Sequence, residues 1–514
     1  MTTDRRDLTE GFLFTDQYQL TMSQLYWKYG LHDRTAQFDY FFRRYPDYGR
    51  HQAGYAVFAG LEWLLDWIDT TRVREVDLDH LRRQHDHAGR RRFDEGFLSW
   101  LVETGGFGAV SIRSVPEGRI VHGHEPIAVV EGPLAVAQIL ETSFLNHLNY
   151  QTLVATKASR VAEAAAGGPV LEFGMRRGPD VGANAGARAA LIGGADASSN
   201  VGASLALGID PQGTHAHSMV QLFMAMGEGE IGAFRAYAAT YPTECVLLVD
   251  TIDTLESGIP NAIRVFEELR ADGYEPVGIR VDSGDLAHLA VRAAQMLDAA
   301  GFPDMRIVLS SELDELAMWQ IRAQIVEEAP RYGVVAESVL RRLTYGVGTR
   351  LITSHGYSAL GGVYKLVAID DAGGWIPAMK ISDTPEKMPI PGDKRVWRIY
   401  DDRGLATADV VSAGEEDLSL GGSLELYHPH REGIARHLDG IRDVEELVVP
   451  VYGEGRRMGP SPSLDEMRTR RTIDLERLDP GVRRLVNPHV YHVSLTRRVK
   501  QLQGEMIARE RSGR

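Results

Sequence analysis

The sequence predicts an α/β protein of repeated βα units forming a parallel sheet, closed as a barrel or left open, with an α+β region before it and a mixed extension after it. Two observations carry this expectation. From about residue 165, short, β-rich and almost wholly apolar runs recur, "GPVLEFG", "CVLLVDT", "PVGIRVDSGD", "RIVLSS" and "LTYGVGTRLI", as strands buried on both faces require. Between them lie amphipathic helical stretches, "NAIRVFEELRADG", "LAHLAVRAAQMLDAAG" and "LDELAMWQIRAQIVEEA", so strand and helix alternate with a unit near 30 residues. Asp250 to Asp282 is 32 positions, Asp282 to Ser310 is 28, and Ser310 to Gly346 is 36. Such a period marks repeated βα units and a parallel sheet.

Taken in order, residues 1–135 form the N-terminal α+β domain. The stretches "YQLTMSQLYWKYG" and "YAVFAGLEWLLDWI" repeat apolar positions at helical spacing, which reads as helical core packing. Residues 109–135 carry short alternating runs broken by Pro and Gly, a small β layer. His122 and His124 fall in that layer as a first H-x-H without a nearby acidic or cysteine partner, and read as surface or turn residues. Residues 136–370 hold the barrel. Residues 371–514 are a C-terminal region expected to pack on the other two domains. The tail "TRRVKQLQGEMIARERSGR" reads as a charged helix with a solvated face or a fraying terminus.

Composition narrows the function classes. The 514 residues are 44% hydrophobic and 25% charged, ordinary for a globular chain. A formal net charge of −15 argues against general nucleic-acid binding, which needs a basic face. It is compatible with anionic small molecules, because a few arginines can be focused in one cleft. Cys245 is the single cysteine and sits in the apolar run "ECVLLVD"; it reads as a buried, inert thiol in a reducing compartment. "MTTDRRDLTEGFLFTD" lacks the apolar core of a signal peptide, and no apolar run approaches the ~20 residues that span a bilayer. The expected location is the cytoplasm, with no membrane partner.

The chemistry-bearing residues follow the apolar part of the strands. In a parallel βα architecture those strand ends converge on one face, where active sites form. "VGIRVDSGD" puts Arg280 and Asp282 on one side of a strand by period-2 alternation, with Asp285 beyond. They read either as a buried ion pair or as a polar site. "YGVGT" ends a strand with Gly346, Gly348 and Thr349, which suits a phosphate held by backbone amides. "EFGMRRG" brings Arg176 and Arg177, suited to bidentate contacts with phosphate or carboxylate. Arginines and amides suggest a phosphorylated substrate; aspartates beside them suggest Mg²⁺ or ribose hydroxyls. The residues alone therefore point to a phosphosugar-handling barrel enzyme.

Seven collinear motifs, "TDQYQLTM", "EFGMRRGPD", "GGADASSN", "GTHAHSM", "RVDSGDL", "YGVGTRLITS" and "GGVYKLVAI", give the chain a resemblance to the nicotinate phosphoribosyltransferases, type II phosphoribosyltransferases, from about residue 11 to 400. The resemblance implies the irregular barrel of that superfamily and a homodimer with shared active sites. It implies that nicotinate and phosphoribosyl pyrophosphate yield nicotinate mononucleotide and pyrophosphate in NAD salvage. ATP and water are consumed to ADP and phosphate through a phosphohistidine, with ATP as co-substrate and Mg²⁺ carried on pyrophosphate. It assigns catalysis to His217, as phosphoryl acceptor, and to Arg280 and Asp282, Asp282 being the candidate metal contact. It assigns substrate binding to Tyr18, Phe173, Arg176, Asp196, Thr214, Gly348 and Thr349. Tyr18, from the neighbouring subunit, and Phe173 would sandwich the pyridine ring; Asp196 would line the base pocket; Gly348 and Thr349 would hold the 5-phosphate.

The H-x-H of "GTHAHSMV" leaves a choice. On a strand, His215 and His217 would face one way, as in a metallohydrolase barrel, but the later strand ends "YGVGT" and "LSSEL" bring no further histidine. At the start of a helix, His217 would meet free N–H groups and the positive end of the helix dipole, which favour a phosphoryl group; His215 would then be a bystander. Ser310, Ser311 and Glu312 receive no role. The alternatives to nicotinate transfer are nicotinamide transfer, a barrel metallohydrolase, and a non-catalytic nucleotide-binding homologue.

Overall fold

The computed structural model describes residues 7–371, 373–419 and 422–512; the first six residues of the leader reading lie outside them. The chain divides into two compact units, residues 154–358 and residues 1–153 with 359–514.

Residues 154–358 contain the βα repeat. Strand β1 (Val170–Glu172) is followed by α1 (Asp180–Ile192), β2 (Ala197–Ser198), α2 (Val201–Leu207), α3 (His217–Ala225) and α4 (Gly229–Thr240). Then come β3 (Val246–Leu248), α5 (Ile259–Ala271), β4 (Gly278–Val281), α6 (Leu286–Ala299), β5 (Arg306–Ser310), α7 (Glu315–Glu328), α8 (Ala336–Arg342) and β6 (Leu343–Val347). All pairings are parallel, in the order β2-β1-β6-β5-β4-β3. That order is the sequence order read round a circle: the last strand pairs with the first, and hydrogen bonding is interrupted only between β2 and β3. The architecture is thus an irregular (βα) barrel with one open seam, as expected. Five strands were legible as apolar runs. The two-residue β2, inside "GGADASSN", is too short to carry a pattern.

The strands form because Ile279, Val281, Ile307, Leu309, Tyr345 and Val347 are buried on the barrel sheet, and each such side chain contributes about 1.5–3 kcal/mol over an exposed one. The helices follow their expected stretches. Asp285 and Asp314 cap α6 and α7 by accepting from His288 N and Ala317 N, each cap being worth about 1 kcal/mol. Asp285 is thereby a structural residue rather than part of a polar site.

The other unit joins both ends of the chain. Its seven-stranded sheet orders residues 375–377, 362–370, 35–42, 128–133, 111–114, 449–453 and 456–457. A second, six-stranded sheet is built from residues 394–400, 406–413, 424–427, 435–438, 443–446 and 493–495. This corrects the expected three domains. Residues 371–514 are no separate region, because 449–457 extend the sheet begun by Thr35–Phe42. The expected boundaries at 135 and 370 become 153 and 358. The first falls inside the 25-residue helix Glu141–Ala165, where no turn residue signals it.

Two further expectations change in this unit. "TAQFDYFF" is a strand within a region that reads as helical, because its aromatic side chains pack on strand neighbours, Phe38 stacking on Tyr364 at 4.8 Å between ring centroids. His122 is fully buried rather than superficial, stacked on Tyr491 at 3.7 Å and hydrogen-bonded at 2.8 Å to the Tyr45 hydroxyl. His124 lies against His430, Nδ1 to Nε2 3.0 Å. The C-terminal tail is the helix Arg497–Ser512, and it is not simply solvated: Val499, Gln503 and Met506 are buried.

Candidate active site at the strand ends

Within residues 154–358, the residues after β3, β4 and β5 and the segment before α3 meet in one hydrogen-bonded cluster. Arg280, at the end of β4, is its centre. Its Nε donates to Ser310 Oγ at 2.9 Å, Nη1 to Thr214 Oγ1 at 3.2 Å and Nη2 to Asp282 Oδ1 at 3.2 Å. The Ser310 hydroxyl in turn donates to Asp282 Oδ1. The guanidinium stands 5.5 Å from the centroid of the Phe173 ring, an arrangement in which cation and π face attract. Each of the three guanidinium nitrogens thus donates to a named partner, so its position is set before any ligand arrives.

Phe173 occupies its place because residue 346 is glycine. A Cβ on Gly346 would lie 2.5 Å from the ring, and one on Gly348 would lie 3.0 Å from the Phe173 carbonyl oxygen. The glycines of "YGVGT" therefore admit Phe173. Thr349 opens the one-turn helix Thr349–Ile352 directly after Gly348, and Arg350 is held by Glu312 at 3.1 Å and Asp314 at 2.6 Å.

His217 is the first residue of α3, so the helix reading of "GTHAHSMV" holds and the strand reading does not. Its Nε2 lies 3.1 Å from Asp250 Oδ1, and the side chains are 37% and 2% exposed. The second Asp250 oxygen accepts from the backbone of Asp282 at 3.3 Å and from the Ser283 hydroxyl. A carboxylate oriented on both oxygens fixes the imidazole beside it. It accepts the Nε2 proton, which leaves Nδ1 with the free lone pair.

The structure thus brings together Thr214, His217, Arg280, Asp282 and Phe173, with Gly348 and Thr349 on the adjoining turn. It treats the other three assigned residues differently. Arg176 is exposed in the 3₁₀ turn Met175–Arg177. Tyr18 belongs to the other unit, on the helix Gln17–Lys28, with its ring exposed. Asp196 is corrected: its carboxylate accepts from Val170 N at 2.8 Å, at the beginning of β1 and hence at the opposite rim from the cluster. It precedes a two-residue strand, so it closes the sheet's lower edge rather than lining a pocket at the upper one. At the upper end of β1, Glu172 is buried and accepts from Ser198 Oγ at 2.6 Å, with its carboxyl pushed up by burial.

Sequence reasoning passed over Asp250, Ser283 and Ser310 as site residues. Asp250 and Ser310 were legible as polar residues directly after apolar runs, at the same period as Asp282. Ser310, to which the sequence assigns no role, bonds both Arg280 and Asp282 through its hydroxyl. Ser311 and Glu312 follow it with φ of 95° and 49°, left-handed conformations that cost non-glycine residues free energy and concentrate at functional turns. Among the described residues, no group of three or more His, Cys, Asp or Glu side chains is arranged to hold a metal ion.

Similarity to known proteins now bears on this cluster. The chain matches the nicotinate phosphoribosyltransferase N-terminal domain over residues 13–149 and the C-terminal domain over 393–503. The nicotinate phosphoribosyltransferase of Bacillus subtilis (strain 168) is 39% identical over 488 residues, 94% of this chain and 92% of that one. The human enzyme of the same name is 32% identical over 553 residues, 96% of each chain. The crystal structure of human nicotinic acid phosphoribosyltransferase matches with a TM-score of 0.78 at 30% identity, covering 96% of this chain and 100% of that one.

Proposed function

The chain belongs to the nicotinate phosphoribosyltransferase family, and we propose that its strand-end cluster joins nicotinate to phosphoribosyl pyrophosphate, giving nicotinate mononucleotide and pyrophosphate in NAD biosynthesis. The observation that carries this reading is the pairing, at one barrel rim, of a carboxylate-held histidine with an arginine directed by three partners beside an aromatic ring.

The pyridine nitrogen attacks C1 of the ribose while the C1–O bond to pyrophosphate breaks, through an oxocarbenium-like transition state. Catalysis is then mainly alignment and charge neutralisation. Phe173 supports one face of the pyridine ring; Tyr18, supplied by a second subunit, covers the other. Arg280 and Arg176 attract the nicotinate carboxylate and substrate phosphates, and Thr214 contacts the base. The turn at Gly348 and Thr349 takes the 5-phosphate through backbone N–H groups. Asp282, whose Oδ2 accepts no hydrogen bond among the described residues, faces the ribose or would hold Mg²⁺, which would supply charge neutralisation for the leaving pyrophosphate.

ATP coupling runs through His217. Its Nδ1 attacks the γ-phosphorus of ATP and ADP leaves; the ring, cationic with its Nε2–H retained, is balanced by the Asp250 carboxylate that accepts from it. Water later cleaves the P–N bond. A phosphoryl group at the start of α3 gains from the N–H groups of the first turn, and it alters substrate and product affinity only insofar as it interacts with them differently. A homodimer is supported by Val201, Leu205, Leu222, Met224 and Met226, large apolar side chains exposed on and just beyond α2 and α3, which a partner would cover. The unpaired Cys245 fits the reducing cytoplasm, and among the described residues no helix is long and apolar enough to cross a membrane.

The test is incubation with nicotinate, phosphoribosyl pyrophosphate, Mg²⁺ and γ-labelled ATP. Nicotinate mononucleotide and acid-labile label on the wild-type protein are expected, with the label absent from His217→Ala and slow ATP-independent transfer retained. No mononucleotide from the wild type sinks the reading; a preference for nicotinamide moves it to the sister activity.

A further inference from the structure

The barrel's open seam leaves strand β3 with one unpaired edge. Leu248 pairs in register with Arg280 of β4, and Val249 N donates to Arg280 O at 3.0 Å. In a parallel ladder the neighbouring amide points the other way, so Leu248 N–H faces the seam, where β2 does not reach. A buried amide without a partner is costly. The segment before α3 answers on both sides. Gln212 N donates to Ser198 O of β2 at 2.9 Å, and Leu248 N donates to His215 Nε2 at 3.1 Å. Residues 212–215 thus replace the missing ladder with one bond to each bordering strand, and the second comes from a side chain.

We propose that His215 is a positioning residue: by accepting Leu248 N–H across the seam, it holds the segment carrying Thr214 and His217 in register with Arg280 and Asp250. Three further observations agree. An Nε2 that accepts must belong to a neutral ring protonated at Nδ1, and burial lowers this histidine to about 4. The ring packs on Tyr237 at 4.8 Å between centroids and on Phe234 at 6.4 Å, so it cannot swing away freely. Close to it in sequence are Thr214, bonded to Arg280 at 3.2 Å, and, two residues on, His217, at 3.1 Å from Asp250. A shift of the segment would loosen both contacts together.

The inference rests on the proposed phosphoryl-acceptor role of His217, and the test separates the two. His215→Leu removes the acceptor and keeps apolar bulk; His215→Gln offers a carbonyl near the Nε2 position; His215→Asn offers one that stops short of it. Measured for each are exchange of the Leu248 amide, Tm, the rate at which His217 takes label from ATP, and kcat and KM with and without ATP. In the Leu and Asn variants the amide should exchange faster and labelling should slow by about tenfold to a hundredfold, while Gln restores both. A Leu variant that labels at the wild-type rate overturns the proposal. So does a Gln variant as slow as Leu at an unchanged Tm. If Leu does not fold, the contrast between Gln and Asn decides. A wild-type protein that takes no label sinks the phosphohistidine instead; Leu248 exchange and ATP-independent kcat then still judge His215.

Discussion

Asp250 and His217 show how little sequence separates a site residue from its support. The carboxylate is almost wholly buried and both oxygens are engaged, so its orientation is not free to change with substrate. Asp250→Asn keeps the shape but cannot stabilise a cationic ring; kcat should fall roughly a hundredfold with a smaller change in KM, and an unchanged kcat would remove Asp250 from the mechanism. The neighbouring thiol behaves oppositely. Cys245 is buried and burial pushes it up to about 12, so it presents no thiolate. Ellman's reagent should titrate no thiol in the native protein and one after denaturation; a native reaction refutes the inert reading. Both residues sit in "ECVLLVD", and an apolar run that ends in a carboxylate was legible as a strand end. Which of the strand-end polar residues would meet His217 was not.

At the level of elements, strand and turn are matched through glycine. Gly346→Ala would drive a methyl group into the Phe173 ring, so the ring must move or β6 must bend. Overpacking of this kind costs about 1–3 kcal/mol, and displacement of Phe173 should also raise KM for nicotinate. A variant with wild-type Tm and KM would show that the ring is not held by this contact. The βα period made the positions of β1 and β3–β6 legible, along with α5, α6 and α7, because buried strands and amphipathic helices each repeat a local pattern. The strand Thr35–Phe42 was hidden, since an aromatic-rich run between helices has no distinguishing period. Its strand identity comes from pairing with residues 128–133 and 362–370, more than eighty positions away.

Across the whole molecule, several wholly or partly buried histidines make stability depend on pH. Burial lowers His122 to about 3, His124 to about 4, His430 to about 3 and His215 to about 4, all below the unfolded value of about 6.5. The unfolded chain binds these protons first, so their contribution is complete above about pH 6.5 and is lost as pH falls through the folded values. Asp409 adds a later loss: burial raises its carboxyl, but Arg398, 2.7 Å away, outweighs this and holds it at about 2. Its share is present above about pH 4 and disappears as pH falls toward 2. Tm should therefore be level near pH 7–8 and decline already at pH 5, before ordinary carboxylates titrate. Equal Tm at pH 7.5 and pH 5 would contradict the buried-neutral state of these rings.

The sequence by itself determined the barrel's repeating units and the strand-end placement of Arg280, Asp282, Gly348 and Thr349. These depend on alternation and caps within a few residues, which short-range sterics enforce. Only the tertiary structure decided that residues 449–457 complete the N-terminal sheet, that Asp196 stands at the far rim, and that Ser310 and Asp250 belong to the cluster. It also decided that His215 closes a seam. Each of these turns on which distant backbone groups are left to be paired, and no local pattern records that.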